Sequence, residues 1–523
     1  VELHDHSGGG LVTAAARLQE VWRRPRWAGA PRKLVLLLAA LTVGRLLAAA
    51  FIPYTEDEAY YRLWAERLQL GYYDHPPMAA WWIRIGQLIA GDNPLGARLL
   101  AVLASAVVSL LLYDLARKLG LGERTAVRAA VWYNAVLLVG FGSFMIIPDA
   151  PSCLFWTATL WSLVKTKDGE AWWLAAGATA GLALLSKYSA LFLGPGVLIW
   201  LAATPNGRQR LTTPWPWLSA LVAGSIFALN VGWNAAHDWV SFKKQFGRAA
   251  PHSLTLQNLV NLIFVQALVF NPLLTPFAVM GTGRIGKAWR KTGDHPLALI
   301  LATTAPFAFY LLVHSFHAGV QAHWPAPLYP GLALIAAWAA EELEQKPIWR
   351  TLAQWAAPFG IIATAITLLH LAIPASDFAP KQDLTTSLRG WPQFGREVEA
   401  LRAHTGAGWI GTLSYGQAAM LDATQEVHAP VLQVTERSRY AFADQPPAAA
   451  MTRPGLLVDL QRRFSADELA YCFGEFRDLG VLVRGRADVP RSRYGVYFVA
   501  KPRFDLARKG CWEGKNLKDS RSE

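Results

Sequence analysis

Residues 51–82 read FIPYTEDEAYYRLWAERLQLGYYDHPPMAAWW, directly after the apolar run LVLLLAALTVGRLLAAA at 34–50. A chain that has just met a bilayer places Glu56, Asp57 and Glu58 in a row, then aromatics, then Asp74-His75-Pro76-Pro77. Carboxylates are costly at that depth, so their presence asks for a reason. Within 58–70, Tyr60, Trp64 and Leu68 recur at helical spacing, which predicts an interfacial helix with aromatics at the lipid boundary. Pro76-Pro77 suits the first turn of a second helix, with Trp81 and Trp82 as further interface anchors. Lipid anchoring explains the aromatics and leaves the three acids unexplained.

The rest of the chain extends this reading. Of 523 residues, 53% are hydrophobic and only 17% charged, too few charges for an ordinary soluble domain of this size. Apolar runs at 34–52, 95–116, 127–147, 151–165, 171–186, 189–203, 214–233, 257–280, 296–313, 323–340 and 351–373 predict about eleven crossings. The net charge of +13 falls largely between these runs and is a topology signal rather than a nucleic-acid footprint. Arg23, Arg24, Arg26, Arg32 and Lys33 precede the first run and predict a cytoplasmic N-terminus. The opening VELHDHSGGG lacks Met and is set aside as foreign to the fold, and no cleavable signal peptide is expected. The expected segments are a cytoplasmic stretch at 1–33, a transmembrane domain at 34–373 and a small outer α+β domain at 374–523. In that last region GLLVDL, VLVRG and YGVYFVA read as strands and SADELAYCFGEFRDLG as a helix. Cys472 and Cys511 both fall there, in an oxidising compartment, and the sequence leaves open whether they pair.

Alternation puts 53–94, 148–150, 187–188, 234–256 and 314–322 on the outer side. Asp149, in IIPDAP, sits in a turn of almost no length between two apolar runs, as either a functional acid or a helix-capping aspartate. Lys187, Lys243, Lys244 and Arg248 place positive charge on the side the orientation rule disfavours, beside His237-Asp238-Trp239. Snorkelling or a solvated loop explains each alone; an anionic ligand explains them together. Carboxylates, histidines and cations converging on one membrane face suit a reaction on a lipid-linked phosphate.

TEDEAYYRLWAERLQLGYYDHPPMAAWWIRIG, followed in order by IIPDAP, LALLSKYSALFL, NAAHDWVSFKKQFG and HWPAPLYPGLAL, resembles polytopic glycosyltransferases of the GT-C type. The resemblance is to the family of protein O-mannosyltransferases and bacterial lipid A aminoarabinose transferases, over roughly residues 34–340. It implies transfer of a sugar from a polyprenyl-phosphate donor on the outer face of the bacterial inner membrane, by a multi-pass enzyme with a periplasmic site. By position, Asp57 and Asp149 are the implied catalytic acids, with Glu58 beside them. Asp74 and His237 occupy places linked in aminoarabinose transferases to a divalent metal, so Zn, Mg or Mn is an implied cofactor. His75 stands where those transferases have Lys. Lys187, Lys243, Lys244 and Arg248 are the implied phosphate-holding residues, with His75, Tyr188, His323 and Tyr329 as substrate contacts. The YYDHPP and HWPAP versions resemble the subgroup that decorates lipopolysaccharide with uronic acid, which implies lipid A or lipopolysaccharide core as acceptor. A monomer without nucleic-acid partners is expected. The rivals are a protein O-mannosyltransferase and a lipid-linked sugar flippase; the latter predicts internal repeats and mid-membrane charges, and no repeat is visible.

Overall fold

The computed structural model describes residues 30–247, 254–373, 385–507 apart from 445 and 487–488, and Cys511. Helix α1, Arg32–Phe51, is apolar nearly all round and ends where Ile52 turns extended before Pro53. Helix α2, Glu56–Glu66, then starts at a capping box: Thr55 accepts from the Glu58 amide, and the Glu58 carboxylate accepts from the Thr55 amide. All three acids lie in its first turn, where the positive end of the helix dipole favours them. Helix α3, Met78–Ala90, runs onto helix α4, Pro94–Lys118. A side chain at Gly86 would meet the Gly96 carbonyl at 2.0 Å, so the α3–α4 contact requires glycine. This packing holds the start of α3, which directly follows the loop that carries Asp74 and His75.

The α2 aromatics do not face lipid. Tyr60 is 1% and Trp64 0% exposed, whereas Leu68 lies beyond the helix and is half exposed. Trp64 stacks on Tyr72 with ring centroids 4.4 Å apart, and Trp82 is buried against Phe155. The aromatic stripe is covered by protein instead, from the C-terminal region.

Five described helices are long and apolar enough to cross a membrane, or up to seven if each of two sharply bent pairs is one span. The 113° bend after Ala203 falls at the end of the expected run 189–203, and the 107° bend after Phe270 falls inside the expected run 257–280. Helix α5, Asp149–Lys165, and the helix Tyr329–Leu343 are shorter and mostly buried, and the helix Trp172–Leu184 is shorter and partly buried. Helix α6, Trp215–Ala236, follows, and the short helix α7, Val240–Gly247, packs beside it. Exposed Leu47, Leu221, Phe264 and Ile366 mark lipid-facing surfaces.

The C-terminal region carries a five-stranded mixed sheet in the order β2-β1-β3-β5-β4. The strands are β1 Trp409–Thr412, β2 Val431–Gln433, β3 Gly455–Leu460, β4 Phe473–Arg486 and β5 Val489–Pro502. The first three pair in parallel, while β5 runs antiparallel to β3 and β4, with Leu457 opposite Tyr497. The segment expected as one helix divides instead: Ala466–Cys472 is helical, and from Phe473 the chain extends as β4 because its amides pair with β5. Cys472 and Cys511 form a disulfide.

This domain sits on α2. Helix α8, Tyr415–Ala423, packs against it, and Arg62 of α2 pairs with Asp422 at 3.1 Å and Asp92 at 2.6 Å. Tyr60 donates to the Arg439 carbonyl at 3.0 Å. One apolar cluster joins Tyr60, Trp64, Phe394, Met420 and Leu456 across the two parts.

Candidate active site

A cavity of about 280 Å³ opens between loops of the helical domain and the C-terminal domain. Asp57 enters it from the first turn of α2, Asp74 and His75 from the following loop, and Lys187 and Tyr188 from the break after Leu184. His323 and Trp324 close one side, and Tyr415 and Arg439 come from the C-terminal domain. The Asp57 carboxylate faces the open mouth, yet it is ringed by protein. Crowding pushes its pKa above the ordinary 3.8; the Tyr415 hydroxyl, donating to Oδ1 at 2.8 Å, opposes that, and Asp74 adds to it.

Asp149 is the first residue of α5 and is buried. Its Oδ1 takes a hydrogen bond from Lys187 Nζ at 2.7 Å, and its Oδ2 lies 3.9 Å from His323 Nε2. Burial holds His323 below its ordinary 6.5, against the pull of Asp149. His323 is therefore neutral at pH 7, and Lys187 is the cation that neutralises Asp149. An ammonium has three donors, so Lys187 keeps others for a ligand. On its far side, His323 and Asp149 line a second, apolar cavity of about 250 Å³ with Ala101, Val108, Leu138 and Cys153.

Several sequence expectations are corrected. Glu58 does not face the cavity: it is fully buried, capping α2 and pairing with Arg98 at 2.7 Å. Asp74 and His237 are not brought together as a metal pair. Asp74 Oδ2 is taken by Arg439 Nη1 at 2.5 Å, and a guanidinium there repels a divalent cation. His237 turns Nδ1 to the Trp233 carbonyl at 2.8 Å, stacks on the Trp233 ring at 4.2 Å and stays off the cavity. Among the described residues, no group of three His, Cys, Asp or Glu is placed to hold a metal ion. These donors do not fit the implied metal. Lys243 is exposed and off the cavity; Lys244 lies 3.7 Å from Glu436 and over the Tyr73 ring. Arg248 lies outside the described residues. Tyr188 lines the cavity while its hydroxyl meets Asn230 and Ser241; Tyr329 is buried, donating to Gln266, and does not line it.

Sequence reasoning missed Tyr415 and Arg439. Arg439 bonds Asp74 and Glu436, and its guanidinium lies 4.4 Å from the Tyr415 ring and 5.1 Å from the Tyr73 ring. Gln245 was missed too; its amide donates to the Asp74 carbonyl at 2.5 Å.

Residues 74–233 match the family model described as dolichyl-phosphate-mannose-protein mannosyltransferase. A lipid A galacturonosyltransferase of Rhizobium johnstonii is 24% identical over 397 residues, covering 73% of this chain and 80% of the relative. An undecaprenyl phosphate-alpha-4-amino-4-deoxy-L-arabinose arabinosyl transferase of Pseudomonas paraeruginosa is 29% identical over 262 residues, 47% of this chain. The chain spans less than half, 46%, of that second relative's length. The crystal structure of ArnT from Cupriavidus metallidurans bound to undecaprenyl phosphate superimposes with a TM-score of 0.58 at 16% identity, covering 90% of this chain and 98% of that one. The Archaeoglobus fulgidus oligosaccharyltransferase gives 0.52 at 12% identity, covering 83% and 70%. The fold is thus that of the GT-C membrane glycosyltransferases. Within that class, the chain is similar in sequence to the mannosyltransferase family model over residues 74–233 and to lipid A galacturonosyl- and aminoarabinosyl-transferases.

Proposed function

We propose that this chain transfers a sugar from a polyprenyl-phosphate donor to lipid A or lipopolysaccharide core on the outer face of the bacterial inner membrane, with galacturonic acid as the sugar. The observation that carries this is the placement of Asp57 and Lys187 at one cavity, with Asp149, the partner of Lys187, lining an apolar cavity behind His323. The acceptor hydroxyl attacks the anomeric carbon, the bond from that carbon to the phosphate oxygen breaks, and polyprenyl phosphate leaves with the electron pair. Attack opposite the leaving group inverts the anomeric centre. Asp57 takes the acceptor proton, a task suited to a carboxylate whose proton affinity is raised by crowding. Lys187 balances the developing charge on the phosphate, and Asp149 holds the lysine in place. If the acceptor is itself a phosphate, no proton need leave, and Asp57 instead orients it or steadies positive charge on the sugar ring. No step is routed through a metal.

In this reading the N-terminus is cytoplasmic, and the cavity and the domain at 374–523 are periplasmic. The chain acts as a monomer, with 34–373 as the catalytic membrane domain. Similarity to the galacturonosyltransferase over most of both chains supports the choice of sugar and acceptor. The test is to reconstitute the protein with a panel of polyprenyl-phosphate sugars and lipopolysaccharide acceptors, then measure free polyprenyl phosphate by mass spectrometry. Acceptor-dependent release that is lost in Asp57→Asn supports the reading and names the donor. Failure of every donor, with labelled lipid-sugar still crossing the bilayer, moves the reading to a flippase.

A further inference from the structure

The C-terminal domain reaches the reacting carboxylate itself. The Tyr415 hydroxyl donates to Asp57 Oδ1 at 2.8 Å, across 358 residues of sequence. A carboxylate on a short side chain rotates easily about its last bond. One fixed donor on Oδ1 selects a rotamer and leaves Oδ2 for a substrate proton. The donor is itself held. Arg439 lies over the Tyr415 ring at 4.4 Å and is anchored by Asp74 and Glu436. The Tyr60 ring packs at 5.0 Å, and the Tyr440 hydroxyl donates to the Tyr415 carbonyl at 3.1 Å.

The next residue shows how close the approach is. A side chain on Gly416 would come within 2.4 Å of Glu56 Oε2, so α8 presses its first turn against the first turn of α2. Docking alone does not account for the Tyr415 hydrogen bond. Arg62 with Asp422, Tyr60 with the Arg439 carbonyl, and the shared apolar cluster already join the two parts. Tyr415 instead directs its only donor at the one acid of the TEDE run that faces the cavity.

We infer that Tyr415 is a positioning residue of the transfer reaction, through which the C-terminal domain orients Asp57 for proton removal. This rests on Asp57 being the reacting base.

The test compares full-length wild type, Tyr415→Phe, Asp57→Asn and the double variant in liposomes, measuring kcat and donor KM. A lost hydrogen bond to a charged group predicts a fall in kcat of roughly tenfold for Tyr415→Phe, with donor KM within about twofold. In the Asp57→Asn background the same substitution should change nothing further. Gly416→Ala, which keeps the hydroxyl but displaces α8, should also lower kcat and serves should Tyr415→Phe fail to fold. Wild-type kcat in Tyr415→Phe, with Asp57→Asn inactive, overturns the inference and leaves the role of Asp57 intact. An equal fold-loss in both backgrounds also overturns it, because Tyr415 would then act independently of Asp57. An active Asp57→Asn overturns the underlying base assignment and the inference with it.

Discussion

Removing Arg98 should unfold this protein more readily than any change at its cavity. Arg98 and Glu58 are both fully buried. The guanidinium donates Nε and Nη2 to the two Glu58 oxygens at 2.7 Å each. It also donates to the carbonyls of Ala49 at 3.1 Å, Ile52 at 2.6 Å and Pro53 at 2.9 Å. Glu58 in turn accepts from the Thr55 amide at 3.1 Å and the Ile146 amide at 3.0 Å. One ion pair thus ties the end of α1, the start of α2, the start of α4 and the turn before Asp149. Arg98→Met strands a carboxylate with no water and frees three carbonyls, a loss of about 3–5 kcal/mol for a broken buried pair. Glu58→Gln leaves the cation its three carbonyls and should cost about 3 kcal/mol, at the lower end of that range. The double variant should recover part of the loss, because neither charge is then stranded. Thermal unfolding in detergent, followed by tryptophan fluorescence, gives the ranking, and turnover per folded molecule is measured beside it. Glu58→Gln with wild-type unfolding and a hundredfold loss of turnover would refute the structural role and return Glu58 to catalysis. Losses that add in the double variant would refute the pairing argument.

Other perturbations separate chemistry from support. A carboxyl whose folded pKa is raised costs stability when ionised, and that cost disappears as pH falls through the folded value. Asp57→Asn should therefore unfold at a higher temperature than wild type at neutral pH, with the gap closing in acid; no gap at neutral pH would contradict the crowding. By the same sign, turnover should rise with pH through a midpoint above 3.8, which a pH–rate profile of the wild type reads directly. Lys187→Met leaves buried Asp149 without its cation, and should raise donor KM at least tenfold while costing about 3 kcal/mol; Asp149→Asn added to it should restore stability but not KM. The Cys472–Cys511 disulfide closes a separation of 39 residues, so Cys511→Ser should destabilise the C-terminal domain by about 3–4 kcal/mol in proteolysis or unfolding assays.

Much of the fold was legible because apolar runs and basic loops are long, redundant signals. The site was legible only in part, for reasons that differ by residue. Asp57, Asp149 and Lys187 stood out as charges where charge is costly; Asp57 and Lys187 line one cavity, and Asp149 pairs with Lys187 from the apolar cavity behind it. Tyr60 and Trp64 were misread because a stripe of aromatics one turn apart looks the same under lipid as under a folded domain. The metal pair of Asp74 and His237 failed because sequence spacing does not reveal that Arg439 already holds Asp74. Tyr415 and Arg439 carried no local signal, being ordinary residues of a mixed domain until folding brings them 358 and 365 positions back along the chain. Glu58 is the exception: Thr55-x-x-Glu58 is a helix-capping pattern readable from the letters alone.

That pattern answers why three consecutive acids occupy a membrane boundary. Successive residues on a helix point about 100° apart, so a first turn sends neighbours into unlike surroundings. Glu58 turns inward, where Arg98 and the capped amides neutralise it. Glu56 turns toward the C-terminal domain, beneath Gly416, where crowding raises its pKa and Arg463 opposes the rise. Asp57 is left between them with a single hydroxyl and no ion-pair partner among the described residues. A carboxylate so placed keeps a raised affinity for protons, and only its two neighbours are spent on holding the helix that presents it. Moving the acid by one position along α2 would therefore exchange chemistry for architecture, not weaken either by degrees. On these grounds Asp57→Ala, with Glu56 and Glu58 left in place, should fold yet not transfer sugar, because neither neighbouring acid lines the cavity; transfer by that variant would show that the cavity does not need a base at residue 57.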